Sequence, residues 1–137
     1  MEPIRTESAE QTEAVAAELA AELGPGDVVL IAGELGAGKT TFVRGACRAL
    51  GIDEPVTSPT FTIGRRYAGA VPVSHLDLYR LDSLDAEEPG LLDDYIDAAT
   101  LTFIEWPDLA ERELDLATVR VRVAHAGGDH RTIEVTR

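Results

Sequence analysis

The chain is poor in cysteine and has no long apolar run. Cys47 is its single cysteine, so no internal disulfide can form. Its longest apolar stretches, such as Val28–Ala32, are far shorter than the roughly 20 residues that span a bilayer. Met1–Thr12 is polar and acidic and lacks the apolar core of a signal peptide. We therefore expect a cytoplasmic protein without a membrane segment, and its 137 residues fit a single domain, 1–137.

Lysine is nearly absent as well. Among 12 basic residues only Lys39 is a lysine, and 25 acidic residues bring the net charge to -13. A protein that binds nucleic acid broadly needs clustered Lys and Arg to neutralise phosphates, so this balance argues against an autonomous nucleic-acid surface. Any role with RNA is expected to be indirect.

The one lysine lies in a complete phosphate-binding pattern, G-x-x-x-x-G-K-[ST]. That pattern is formed by Gly33, Glu34, Leu35, Gly36, Ala37, Gly38, Lys39 and Thr40. The apolar run Val28–Ala32 before it is typical of a strand buried on both faces of a parallel sheet, and an apolar stripe over Thr40–Leu50 predicts a helix after it. In such a loop, backbone N–H groups converge on phosphate oxygens, Lys39 bridges the terminal phosphates and the Thr40 hydroxyl ligates magnesium. The sequence therefore predicts a nucleotide site.

The remaining pattern predicts a mixed α/β fold. Ser8 and Gln11 form a capping box before a helix that continues to about Leu23, Leu101–Ile104 is a second buried strand, and Pro107 starts a helix. Two antiparallel hairpins are expected, Ile63–Tyr67 with Val71–Leu76 and Val119–Val123 with Ile133–Val135. We predict a P-loop NTPase fold of three layers, with a mostly parallel central sheet and antiparallel hairpins at its edge.

Hydrolysis would need a carboxylate for the metal or the attacking water, commonly at the end of a neighbouring strand. Asp77 follows the apolar run Val71–Leu76, and Glu105 follows Leu101–Ile104 as a Walker-B acid would. Either could instead be a strand-end acid that only caps or faces solvent. We favour a catalytic or metal-binding role for each, because P-loop chemistry requires at least one such acid.

Other polar and aromatic residues carry weaker signals. Thr57, Ser58, Thr60 and Thr62 lie in a proline-held segment where a switch could sense a γ-phosphate, although an ordinary Ser/Thr turn is slightly favoured by spacing alone. Taken singly, Trp106 is expected to pack, His75 to be a structural histidine and Cys47 to lie in the core.

Four motifs together change these interpretations. The motifs are Gly33–Phe42, Ser58-Pro59-Thr60-Phe61, His75-Leu76-Asp77-Leu78-Tyr79-Arg80-Leu81 and Ile104-Glu105-Trp106-Pro107. In order and spacing, they resemble the TsaE (YjeE) family of bacterial P-loop ATPases over nearly the whole length of the chain. The phosphate loop is common to many NTPases, whereas the combination of the other three motifs is specific to that family.

The resemblance implies an ATPase that supports synthesis of N6-threonylcarbamoyladenosine at position 37 of tRNA. ATP and Mg²⁺ would be its cofactors, and TsaD and TsaB, the threonylcarbamoyl-transfer complex, would be its partners, with hydrolysis needed for repeated turnover. It implies that Lys39, Thr40 and Thr41 contact phosphate or magnesium, that Asp77 and Glu105 act in catalysis and metal binding, and that Ser58, Thr60 and Trp106 lie by the nucleotide. Which acid contacts magnesium directly stays open.

Two alternatives remain. A small P-loop metabolite kinase would share the phosphate loop, but its lid would have to be built from Arg65-Arg66 or from the strongly acidic stretch Asp82–Gly90. A nucleotide-sensing adaptor would bind without hydrolysis. We expect weak ATPase activity in isolation, because the sequence offers no evident built-in arginine finger.

Overall fold

The computed structural model describes residues 3–33, 38–52, 55–56, 64–69, 71–77, 96–107 and 118–136. These residues form seven strands and two α-helices. In chain order they are β1 (Ile4–Thr6), α1 (Ala9–Ala20), β2 (Val28–Gly33), α2 (Lys39–Ala49), β3 (Gly64–Tyr67), β4 (Val73–Asp77), β5 (Leu101–Pro107), β6 (Val119–His125) and β7 (Arg131–Thr136).

All the described strands belong to one sheet, in the order β1-β7-β6-β2-β5-β4-β3. The four inner strands β6, β2, β5 and β4 run parallel, whereas β3 and β7 pair antiparallel with β4 and β6. The predicted parallel centre and both edge hairpins are therefore confirmed. Strand β1, which pairs antiparallel with β7, was not predicted, because its three residues carry too little pattern to indicate a strand.

Strand β2 lies at the centre and is buried on both faces. Val29 and Ile31 pack with the helices in the main core, and alternate residues of a strand point to opposite faces. On the other face Leu30, Leu76 and Ile104 are 0–5% exposed. Both faces of the sheet are thus covered, as the predicted three-layer P-loop fold requires.

Helix α1 starts where its sequence predicts. The Ser8 side chain accepts a hydrogen bond from the Gln11 backbone N–H at 3.2 Å, and the Gln11 side chain accepts one from the Glu7 backbone N–H at 2.8 Å. These bonds satisfy N–H groups that a helix start leaves without partners. No described helix is long and apolar enough to cross a bilayer.

One predicted boundary was wrong. Pro107 does not start a helix: it is the last residue of β5, where it pairs in register with Gly33 of β2. Proline fixes a backbone angle that is common to the first turn of a helix and to extended chain, so the residue alone did not distinguish the two. The rest of that predicted helix lies outside the described residues.

Cys47, on α2, lies in the hydrophobic core of the protein, as predicted. Burial raises the pKa of its thiol to about 12. Because only the thiolate reacts readily, we expect a thiol reagent at pH 8 to label the native protein at least about 100-fold more slowly than the urea-unfolded protein. The measurement is the release of a chromogenic leaving group with and without urea. Equal labelling rates would contradict this placement.

Candidate functional site

Three parallel strands bring candidate site residues together at their carboxyl ends, along one side of the sheet. Gly33 ends β2, Asp77 ends β4, and Glu105 lies near the end of β5. In the parallel registers, Glu105 pairs with Ile31 on one side and with Asp77 on the other. Ligands of open α/β sheets bind at the carboxyl ends of parallel strands, so this edge is the place to look for a site.

Helix α2 begins at the same edge. Gly38 precedes it with φ 103°, a left-handed conformation that residues with a side chain rarely adopt. Lys39 and Thr40 form the first turn, in which the Phe42 N–H donates to the Gly38 carbonyl at 3.0 Å. The N-terminus of a helix presents backbone N–H groups and the positive end of its dipole. The start of α2 is therefore suited to an anion.

The Lys39 side chain is buried against the end of β2. The residue is only 4% exposed, and its Nζ donates to the Gly33 carbonyl at 2.9 Å. A lysine this deeply buried is rare unless its charge is compensated. An ammonium has three hydrogens, so it can bind this carbonyl and also donate to a phosphate group.

Glu105 contacts that helix start through its carboxylate. It is 3% exposed. The Thr40 hydroxyl donates to its Oε1 at 3.1 Å and to its Oε2 at 3.2 Å. The residue thus links β5 to the first turn of α2. A hydroxyl and a carboxylate side by side are hard oxygen donors, the kind that Mg²⁺ prefers.

The second contact of Glu105 comes from a residue that sequence reasoning placed in a purely structural role. His75 of β4 lies 2.5 Å from Glu105 Oε2 through its Nε2, and its side chain is 0% exposed. The sequence alone did not reveal this contact, because it depends on β4 and β5 being neighbours in the sheet. The available signal was the position of His75 two residues before Asp77, which puts it near the same edge of the sheet.

A cavity of about 260 Å³ adjoins the start of α2. It is lined by residues from the start of α1, the start of α2 and the β6–β7 hairpin. These are Ser8, Ala9, Glu10, Thr12, Gly38, Thr41, Asp129 and Arg131. The Arg131 guanidinium donates to the Gly128 and His130 carbonyls, both at 2.8 Å, and its Nε would lie 3.6 Å from a Cβ added to Gly38. Sequence reasoning did not predict Arg131 as a neighbour of the phosphate loop.

Several predicted site residues lie outside the described part of the chain. They are Glu34, Leu35, Gly36, Ala37, Ser58 and Thr60. For Asp77 and Trp106 the backbone is described and the side chain is not. The structure therefore brings together Gly33, Gly38, Lys39, Thr40 and Glu105 of the predicted set.

A family model matches this chain over residues 6–133. Its description is "Threonylcarbamoyl adenosine biosynthesis protein TsaE". The chain belongs to the TsaE family. The fold, with its phosphate-loop strand in the centre of the sheet, agrees with this membership.

Curated TsaE relatives cover most of this chain. The tRNA threonylcarbamoyladenosine biosynthesis protein TsaE of Bacillus subtilis (strain 168) is 41% identical over 133 residues, which span 96% of this chain and 83% of the relative. The protein of the same name from Mycobacterium leprae is 39% identical over 130 residues, covering 85% and 81% of the two chains. These TsaE proteins are named for a tRNA modification.

A solved structure shows the same fold. The crystal structure of YdiB from Bacillus subtilis superposes with a TM-score of 0.77 at 37% identity and covers 96% of this chain and 82% of its own. The predicted P-loop architecture of this TsaE-family chain is thereby confirmed.

Proposed function

We propose that this chain binds ATP with magnesium and hydrolyses it to support synthesis of threonylcarbamoyladenosine in tRNA. The observation that carries the proposal is the buried pairing at the start of α2, where Lys39 binds the Gly33 carbonyl and Thr40 binds Glu105. Membership of the TsaE family supplies the biological process. The proposal treats residues 1–137 as one ATPase domain acting in the cytoplasm.

The phosphate groups would lie against the start of α2. Its N–H groups and the ammonium of Lys39 are the donors described at this position, and the loop residues Glu34–Ala37 with Thr41 are assigned to the same task from the sequence pattern. A compact ammonium on a flexible stem suits a position between phosphates better than a planar guanidinium. This explains why a chain so poor in lysine has one here.

Magnesium would be held by Thr40 and Glu105. The Thr40 hydroxyl oxygen carries two lone pairs besides the hydrogen it donates, so it can bind Glu105 and a cation together. The described side chains include no group of three or more His, Cys, Asp or Glu that could hold a metal alone. That suits Mg²⁺, which commonly takes one or two protein ligands and completes its shell with phosphate oxygens and water. When bound, the ion offsets negative charge on the phosphate oxygens.

Glu105 and Asp77 are the proposed catalytic acids. Glu105 is held near the helix start by Thr40, and Asp77 is its register partner on β4. Because Glu105 contacts Thr40, we propose that it completes the metal site and that Asp77 orients the attacking water. Ser58, Thr60 and Trp106 are assigned to the nucleotide-contacting set by their family motifs.

The nucleoside would occupy the cavity beside Gly38 and Thr41. The cavity adjoins the start of α2, and its volume of about 260 Å³ is slightly below the usual range for small-molecule pockets. Arg131 supplies a cation at its wall. We assign ATP as the nucleotide on the strength of the family resemblance.

TsaD and TsaB are the proposed partners. The net charge of -13 argues against direct binding of tRNA, so the chain would reach tRNA only through that complex. Phosphate release measured with and without TsaD and TsaB tests the assignment. We expect a slow rate alone and a clear increase in their presence. Equal rates would contradict the partner dependence.

Replacing Glu105 with glutamine tests hydrolysis itself. The amide keeps the size of the side chain but removes the charge and one strong acceptor, so we expect phosphate release to fall on the order of 100-fold, while nucleotide binding measured in EDTA is retained. The matched control is Glu134→Gln, which removes an exposed acid on β7 and should leave the rate unchanged. If the unaltered protein shows no turnover even with its partners, a nucleotide sensor is the better description.

A further inference from the structure

We propose that His75 is a positioning residue that fixes the carboxylate of Glu105 for its role in the nucleotide site. This inference rests on the proposed function. His75 lies on β4 and Glu105 on β5, and the parallel pairing of these strands brings the His75 ring to Glu105. Its Nε2 lies 2.5 Å from Glu105 Oε2, with side-chain exposures of 0% and 4%.

The contacts of Glu105 with described residues come from two different elements. Thr40 approaches from α2 and contacts both carboxylate oxygens, whereas His75 approaches from β4 and contacts Oε2 alone. A single hydroxyl partner leaves a carboxylate able to rotate about its terminal bond. A second donor from another direction fixes that rotation, as residues behind metal ligands do in many proteins.

The chemistry of the two side chains decides which of them donates the hydrogen bond. The role proposed for Glu105 requires an ionised carboxylate, which only accepts hydrogen bonds, so the proposal makes Nε2 of His75 the donor. The other ring nitrogen, Nδ1, is buried and has no hydrogen-bond partner among the described residues. Burying such a group is unfavourable, and an apolar side chain would fill the same place without that cost. Packing alone therefore does not account for a histidine here, whereas the bond to Glu105 does.

Two amide variants separate hydrogen bonding from packing. His75→Gln places an amide N–H at about the distance of Nε2 from the backbone, while His75→Asn stops at about the distance of Nδ1 and cannot reach Glu105. The readout is the dissociation constant of ATP in EDTA and in excess Mg²⁺, together with the melting temperature. His125→Asn, a change at an exposed histidine of β6, is the matched control.

We expect Mg²⁺ to tighten ATP binding by the unaltered protein and by the His125 control. His75→Gln should keep most of that gain, and His75→Asn should lose about tenfold of it while its affinity in EDTA changes little. A full gain in His75→Asn, or equal losses in both amide variants, would overturn the positioning role. Absence of any gain in the unaltered protein would overturn the proposed function instead.

A second readout needs neither nucleotide nor metal. Nitrogen-15 NMR of the free protein should show a His75 ring with its hydrogen on Nε2, protected from exchange with water by the bond to Glu105 as well as by burial. Exchange should become faster in Glu105→Ala, which removes the acceptor. A His75 ring with its hydrogen on Nδ1, or an unchanged exchange rate in Glu105→Ala, would show that the proposed bond does not form.

Discussion

Replacing Lys39 with alanine is expected to lower phosphate release at least about 100-fold and to weaken ATP binding. The ammonium is buried at the start of α2, where it binds the Gly33 carbonyl and where the phosphate groups are proposed to lie. No other lysine exists in the chain to replace it. The measurements are phosphate release and ATP affinity, with TsaD and TsaB present for the rate.

The control for that experiment is Arg48→Ala. It removes a positive charge from the last turn of the same helix, where the Arg48 side chain is 70% exposed and pairs with Glu13 at 3.3 Å. Arg48 lies at the opposite end of α2 from Lys39, where its charge is largely screened from the phosphate site, so the rate should stay within about twofold of the unaltered protein. Unimpaired multiple-turnover tRNA modification by Lys39→Ala would refute the proposed function.

Local patterns predicted most of the fold. The strand–loop–helix unit around Lys39 could be predicted because an apolar run, glycines and a helical stripe follow one another within a short stretch. The capping of α1 by Ser8 and the β6–β7 hairpin at Gly127-Gly128-Asp129 were predictable for the same reason. In each case the interacting residues are close in sequence.

Long-range pairing could not be predicted from the same patterns. The contact of His75 with Glu105 depends on β4 lying beside β5, and the approach of Arg131 to Gly38 depends on the β6–β7 hairpin lying beside β2. No periodicity within a strand specifies its neighbour in a parallel sheet. The sequence therefore predicted the phosphate-loop part of the candidate site. The side chains that surround Glu105 could be identified only from the structure.

Replacing Gly45 with alanine is expected to destabilise the fold by about 2 kcal/mol, because α1 and α2 touch at this residue. A Cβ added to Gly45 would lie 2.4 Å from the Glu13 carbonyl oxygen and 2.5 Å from the Glu13 Cα. Both atoms belong to the backbone of α1, so a side-chain rotation cannot relieve the clash and the two helices must separate. Alanine favours the helix by up to about 1 kcal/mol over glycine, but this gain is smaller than typical overpacking costs.

Gly24→Ala is the matched control, since a Cβ there meets nothing within 4 Å. Its stability should stay within about 0.5 kcal/mol of the unaltered protein. Urea unfolding followed by circular dichroism compares the two variants, and equal midpoints would contradict close helix contact at Gly45. Because α2 carries Lys39 and Thr40 while the start of α1 lines the adjoining cavity, separation of the helices should also weaken ATP binding in Gly45→Ala. Gly24→Ala should bind ATP as the unaltered protein does.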